Sequence, residues 1–112
     1  MIVRNAVSKA AFNPDKMGKV SLAMSENLFA GLNTFEAGQE HKLHTHQGQD
    51  KIYFVLRGAG EVAVGEEQAR IEEGDLVVAE AGEEHALRNP GPGRLVVMVL
   101  MAPPPKPKAP AA

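Results

Sequence analysis

Short β-type segments separated by glycine-rich turns restrict the fold of this chain more than any other feature. These segments recur about every eight to twelve residues, a spacing that is typical of β-sandwiches and β-barrels. No stretch longer than about ten residues carries apolar side chains at the helical period of about 3.6 residues. The 11 glycines are most simply turn and bulge residues. The sequence therefore predicts an all-β domain.

The predicted strands are rich in β-branched and aromatic residues and are bounded by turn residues. They cover residues 20–24, 27–37, 41–46, 51–56, 61–64, 69–71, 75–79, 85–88 and 95–101. A short apolar strand within residues 1–7 is expected to form a sheet edge. Because exposed strand edges are commonly covered by pairing with a second copy, this edge predicts a homodimer. Among the large side chains, Phe35, Tyr53, Phe54 and Met98 are expected to line the interior.

The length of 112 residues suits one domain with a single core of moderate size. We assign residues 1–101 to the β-barrel domain. Residues 102–112 contain five of the eight prolines, which cannot donate to a β-ladder. This segment is expected to be a Pro-rich disordered tail.

The charge balance and the lack of cysteine exclude several classes of function. The net charge is −2 and no basic stripe suggests a nucleic-acid partner. No apolar run approaches the roughly 18 residues that a membrane span needs. The first residues lack the pattern of a secretion signal, so a cytoplasmic location is expected. Because the chain has no cysteine, thiolate catalysis is excluded, and metal ligands can come only from histidines and carboxylates.

Two histidines two residues apart stand immediately before a predicted buried strand. Side chains in a strand alternate between faces, so His44 and His46 point the same way from positions roughly 6.5 Å apart. A third histidine, His85, follows the next long buried strand. His44 and His46 are therefore expected to supply half of the ligands of a metal site. His85 is expected to be a further ligand that the fold brings close to them.

These residues resemble the first motif of the cupin superfamily, in particular its small single-domain members. That motif is a glycine, five residues, H-x-H, three or four residues, a glutamate, six residues and a glycine. Gly38, His44, His46 and Gly58 match it in identity and spacing. The position of the glutamate is taken by Lys51.

The second cupin motif is a glycine, five residues, P-x-G, two residues, a histidine, three residues and an asparagine. Gly74, Gly82, His85 and Asn89 match it, while Glu80 stands where proline is usual. The resemblance implies a jelly-roll barrel, or double-stranded β-helix, of the RmlC-like kind. It also implies that Asn89 fixes the turn after the histidine strand.

The resemblance further implies that His44, His46 and His85 converge inside the barrel mouth. Three neutral imidazoles with an oxygen ligand suit one divalent transition metal ion, namely Fe, Mn, Ni, Cu or Zn. His41 is opposite in phase to the other two histidines of its segment and is expected to be a surface residue.

The sequence allows two arrangements for the fourth ligand of the metal. If the strand alternates regularly, Lys51 faces the interior, Asp50 faces out, and the metal keeps three histidines and water. If a bulge forms at Gly48 to Asp50, the carboxylate of Asp50 turns inward and becomes a ligand. Because glycine at position 48 makes that distortion easy, we favour Asp50 as the fourth ligand.

Fold alone does not determine function in this superfamily, which includes enzymes, binding proteins and storage proteins. We expect a metal-dependent enzyme of the dioxygenase or isomerase type that acts on a small molecule. The alternative is a non-catalytic module that binds or senses a sugar or an organic acid. The residues do not identify a catalytic group.

Overall fold

The computed structural model describes residues 1–106, which form a short 3-10 helix followed by nine strands. The helix is Ala6–Lys9. The strands are β1 (Gly18–Met24), β2 (Phe29–Phe35), β3 (Glu40–His44), β4 (Asp50–Arg57), β5 (Ala59–Val64), β6 (Glu67–Glu72), β7 (Leu76–Ala79), β8 (His85–Arg88) and β9 (Leu95–Ala102). Among these residues, no helix has the length and hydropathy that crossing a membrane requires.

The strands form two facing sheets with antiparallel neighbours. One sheet has five strands in the order β1-β2-β9-β4-β7, and the other has four in the order β3-β8-β5-β6. The chain passes from one sheet to the other at most of its connections, which is the winding of a jelly roll. The predicted all-β, double-stranded β-helix is therefore confirmed.

The core lies between the two sheets and consists of the inward side chains of alternate positions. Phe35 and Tyr53 are fully buried within it, as predicted. Phe54 and Met98 are cross-strand partners, but they lie on the outer face of the five-stranded sheet and are only half-buried. The prediction that they line the interior is wrong. Each follows an inward-facing residue along its strand, and successive side chains in a strand point to opposite faces of the sheet.

The predicted edge strand at the N-terminus is also wrong. Residues 1–4 have no regular structure, and Met1 is 92% exposed. Asn5 adopts a left-handed conformation with φ of 50°, and the carbonyl oxygen of Asn5 accepts hydrogen bonds from the hydroxyl and the amide of Ser8. These local bonds compete with a sheet ladder and produce the short helix instead.

The last strand continues one residue beyond the predicted domain boundary. Ala102 belongs to β9, and the carbonyl oxygen of Pro103 accepts a hydrogen bond of 3.1 Å from the side-chain amide of Gln49. The start of the proline-rich segment therefore contacts the barrel. Residues 107–112, which make up most of the predicted disordered tail, lie outside the described residues.

Asn89 joins three segments at the end of the barrel that lies away from the histidines. Its side-chain nitrogen donates to the carbonyl oxygens of Phe35 at 3.1 Å and Gly93 at 2.8 Å. Its side-chain oxygen accepts from the amide of Gly91 at 2.9 Å. The side chain is fully buried. Asn89 therefore fixes the turn after β8, as the resemblance implied.

Replacing Asn89 by alanine is expected to lower the free energy of unfolding by about 2–4 kcal/mol, since three backbone groups lose the hydrogen bond that the buried side chain makes to them. For a domain of this size, that loss corresponds to a fall of roughly 8–20 °C in the midpoint of thermal unfolding. Asn27, which is exposed, provides the control, and Asn27→Ala is expected to stay within about 0.5 kcal/mol of the parent. Equal melting temperatures for the two variants would contradict this role of Asn89.

Candidate metal centre

Three histidines meet at the open end of the barrel, where β3 and β8 lie side by side. His44 ends β3 and is the cross-strand partner of His85, the first residue of β8. His46 lies in the loop that follows β3. One ring nitrogen from each of the three lies within 4.8 Å of the other two. The structure therefore brings together the three predicted histidines from separate parts of the chain.

Backbone carbonyl groups set the orientation of two of these rings. The Nδ1 atom of His44 lies 2.6 Å from the carbonyl oxygen of Lys42, and that of His85 lies 2.9 Å from the carbonyl oxygen of Glu83. A carbonyl oxygen can only accept, so Nδ1 carries the proton in both rings and Nε2 keeps its free lone pair. Metal-binding histidines in proteins are commonly held in this way.

Two further ring nitrogens of these three histidines are buried without a hydrogen-bond partner in the described part of the chain. Among residues 1–106, the Nε2 atoms of His46 and His85 have no hydrogen-bond partner. Nitrogens that bind one ion at about 2.1 Å each in a tetrahedral arrangement lie about 3.4 Å apart. Starting from separations of at most 4.8 Å, the rings therefore need to close by no more than about 1.4 Å to bind a single ion. The donor set fits a divalent transition metal such as Fe, Mn, Ni, Cu or Zn.

The protonation state of the three rings also suits metal binding. Burial lowers the pKa of His44 to about 4, and it lowers the pKa values of His46 and His85 as well. A lowered pKa means that the neutral imidazole, which is the form that binds a metal, persists below the pH at which free histidine gains its proton. All three rings are therefore neutral at neutral pH.

Lys51 lies inside the barrel, beside the histidines. Its side chain is 3% exposed, and its Nζ atom is 3.4 Å from the Nε2 atom of His44 and 4.8 Å from the centre of the Tyr53 ring. Burial, with a smaller contribution from the positive charge of Lys19, lowers the pKa of Lys51 to about 8. A buried cation of this kind usually has a functional partner, because removing a charge from water is unfavourable.

Asp50 lies on the opposite side of the same strand, away from the histidines. Its carboxylate is exposed and accepts a hydrogen bond of 2.9 Å from the amide of Ala81. β4 keeps an unbroken register with β9 from Asp50 to Val55, so the bulge that would turn Asp50 inward is absent. The favoured orientation, with Asp50 inward and Lys51 outward, is therefore contradicted, and the strand alternates regularly with Lys51 inside and Asp50 outside.

His41 is not the surface residue that its phase predicted. It is half-buried, and its ring stacks on that of His44 with 3.9 Å between their centres. The register between β3 and β8 shifts between His41 and His44, and this bulge turns both side chains to the same face. No turn residue marks the shift in the sequence. Burial is the largest contribution that lowers the pKa of His41, to about 3.

A cavity of about 320 Å³ extends from these residues between the two sheets. It reaches His46 and Lys51 at one end and is bounded by β1, β2 and β9 elsewhere. Its walls are largely apolar, with contributions from Phe29 and Val99, and none of the side chains that line it is acidic. The volume falls at the lower limit of known ligand sites, which begin at about 300 Å³.

Comparisons with known proteins agree with this architecture. The sequence model of the cupin domain matches residues 31–101. TT1209 from Thermus thermophilus, a solved structure, is similar with a TM-score of 0.89 and 36% identity, over 94% of this chain and 100% of that chain.

Two curated proteins are similar over a shorter part of the chain. An uncharacterized protein of Streptomyces coelicolor is 32% identical over 70% of this chain and 72% of its own length. A protein of Thermotoga maritima that is named an oxalate-binding protein is 29% identical over 67% of this chain. That match spans 61% of the Thermotoga protein. The extent of the family match and the jelly-roll fold lead to one conclusion: the chain belongs to the cupin domain family.

Proposed function

We propose that this protein binds one divalent transition metal ion through His44, His46 and His85, and that this ion holds a small organic anion. The ion would act as a Lewis acid that coordinates oxygen atoms of the anion. The observation that carries the proposal is Lys51, a buried cation next to the three histidines in a cavity without acidic side chains. This electrostatic arrangement favours a negatively charged ligand over a neutral sugar.

The size of the electrostatic effect supports this choice. A divalent ion about 5 Å from an ammonium group is repelled by about 7 kcal/mol at an effective dielectric constant of about 20. Lys51 also lies against the Nε2 atom of His44, which is the atom that a metal would take. When the histidine binds the ion, the ammonium needs another acceptor. An anion on the metal supplies that acceptor and offsets the repulsion.

The oxalate-binding relative supports an organic acid as the ligand class, because oxalate is a dianion that can bind a metal through two oxygens. The experiment is isothermal titration of oxalate into Ni²⁺-loaded protein, into protein stripped with EDTA, and, as a control, of xylose into the loaded protein. We expect oxalate to bind the loaded protein alone. Equal binding of oxalate to the stripped protein, or binding of xylose in preference to oxalate, would refute the proposal.

A metal-dependent enzyme of the dioxygenase or isomerase type is the second candidate, and Lys51 is the observation that favours it. A lysine with a pKa of about 8 can both donate and accept a proton near neutral pH, as a general acid or base must. Oxygen uptake by Fe²⁺-loaded protein with a diketone, a flavonoid or a hydroxy acid tests dioxygenase activity. Chiral chromatography of the recovered hydroxy acid tests isomerase activity.

We also propose a homodimer that forms through the outer face of the five-stranded sheet. The outward side chains at the centre of this face are apolar, and none carries a charge. They are Ile52, Phe54, Leu76, Val78, Met98 and Leu100. Asp50 and Arg57 lie at the two ends of β4 on this face, and both are exposed. A twofold copy laid antiparallel would place each carboxylate near a guanidinium, so the face is complementary to itself.

Light scattering at micromolar concentration is expected to give a mass of about 24 kDa, twice the 12.0 kDa of one chain. Val78→Lys places a charge in the apolar face, at a side chain that is already 47% exposed, and should give the single-chain mass. Leu43→Lys is the control, since Leu43 is 59% exposed on the other sheet and should leave the dimer intact. A single-chain mass for the parent would contradict the dimer, and a dimer in Val78→Lys would contradict the interface.

A further inference from the structure

Asn33 presents a polar side chain inside the barrel. It lies on β2 opposite Val97, a core residue, and therefore on the inner face of the sheet. The side chain is 6% exposed and lines the cavity described above. The Asn33 side chain therefore borders the space that a ligand in this cavity would occupy.

Lys19 stands beside this amide at the mouth of the cavity. It is the cross-strand partner of Asn33, so both side chains lie on the same face of the sheet, and both line the cavity. The positive charge of Lys19 lowers the pKa values of Lys51 and His46, which indicates that its ammonium group lies on the side of the metal centre. The wall formed by β1 and β2 thus carries a hydrogen-bond donor and a positive charge.

The cavity is larger than oxalate requires. Its volume of about 320 Å³ corresponds to about ten water-sized groups at roughly 30 Å³ each. Oxalate has two carboxylates and no chain between them, so it cannot both chelate an ion at the histidines and reach the wall formed by β1 and β2. The apolar side chains between these two ends, such as Phe29 and Val99, suit a short hydrocarbon segment.

We infer that Asn33 and Lys19 form a second polar subsite, which receives the distal carboxylate of a dicarboxylic acid whose other end chelates the metal. The inference rests on the proposed function and specifies its ligand. In this arrangement the carboxylate next to the ion accepts a hydrogen bond from Lys51. The distal carboxylate accepts from the Asn33 amide and pairs with the Lys19 ammonium. The segment between the two ends packs against the apolar wall.

The test compares two hydroxy acids that share a metal-binding end and a chain length but differ at the distal end. The probes are 2-hydroxyglutarate, which has the second carboxylate, and 2-hydroxypentanoate, which ends in a methyl group; oxalate probes the metal end alone. Each is titrated calorimetrically into Ni²⁺-loaded protein. We expect 2-hydroxyglutarate to bind at least 10-fold more tightly than 2-hydroxypentanoate.

Asn33→Leu and Lys19→Gln are each expected to reduce this preference to 3-fold or less and to change oxalate affinity by less than 2-fold. Lys19 is exposed, so its replacement keeps the test valid if Asn33→Leu does not fold. Asn27→Leu and Lys9→Gln, at exposed positions, are the matched controls and should keep the full preference.

The outcomes separate the two proposals. If oxalate binds but the two hydroxy acids bind equally in the parent protein, or if both variants keep the preference, the second subsite is refuted and the metal-bound anion stands. If neither oxalate nor either hydroxy acid binds the metal-loaded protein, the proposed function is refuted, and the subsite is refuted with it.

Discussion

His85→Ala protein purified without chelator is expected to contain less than about a tenth of an equivalent of transition metal, whereas the parent contains close to one. The proposed site has three histidine ligands among residues 1–106, and His85 is the most deeply buried of these residues. Disturbing a residue that merely supports a ligand typically costs 10–100-fold in metal affinity. Losing one of three ligands outright should therefore cost at least about 100-fold, which elemental analysis of the purified protein will detect.

Asp50→Ala is the control that the structure offers for this experiment. Asp50 is the first residue of β4, and its carboxylate accepts a hydrogen bond from the amide of Ala81 on the side away from the histidines. We expect the metal content of this variant to equal that of the parent. A full equivalent of metal in His85→Ala would show that the histidines are not the site. Loss of metal in Asp50→Ala would restore the carboxylate as a ligand.

Lys51→Met is expected to keep a full equivalent of metal but to lose at least about 100-fold in oxalate affinity, which corresponds to about 2.7 kcal/mol. Methionine resembles the lysine stem in length and shape but carries no charge. The variant therefore removes the attraction for an anion together with the repulsion of the ion. Charge-assisted hydrogen bonds in buried sites contribute this much because little water competes for the same groups.

The same variant separates binding from folding. Replacing a buried, poorly compensated cation by an apolar side chain is commonly neutral or stabilising, so the melting temperature of stripped Lys51→Met should equal or exceed that of the parent. Lys42→Met, at an exposed position on β3, is the matched control and should keep the oxalate affinity of the parent. Unchanged oxalate binding in Lys51→Met would contradict the assigned role of the lysine.

The strands of the barrel could be predicted because their apolar side chains alternate over four or more residues. β4 is the clearest case, since Lys51, Tyr53 and Val55 are buried and their neighbours are not. The same alternation fixes the orientation of Lys51 and Asp50. The error there came from preferring a bulge at Gly48 over a regular pattern that the sequence already contained. Gly48 does adopt a positive φ of 72°, but it does so in the loop before the strand.

His41 was misplaced and Asn33 was not singled out, because the positions of both depend on contacts that a local pattern does not contain. His41 turns inward because β3 slips by one residue against β8, and this slip is a property of the strand pair. Asn33 lies in β2, where Leu32 to Phe35 are all buried. Because both faces of the strand are buried there, the order of apolar and polar residues does not show which side chains face the interior. The three histidines that meet at the end of the barrel were found because a motif of fixed spacing marks them.

The most direct test of the proposed metal-bound anion is an anomalous difference map, recorded at the nickel edge, from crystals grown with Ni²⁺ and oxalate. We predict one peak about 2.1 Å from the Nε2 atoms of His44, His46 and His85. Oxalate should bind this ion through its oxygens, and the Nζ atom of Lys51 should lie within hydrogen-bond distance of the anion. A peak away from the three histidines, or oxalate bound without contact to the metal, would contradict the proposed site.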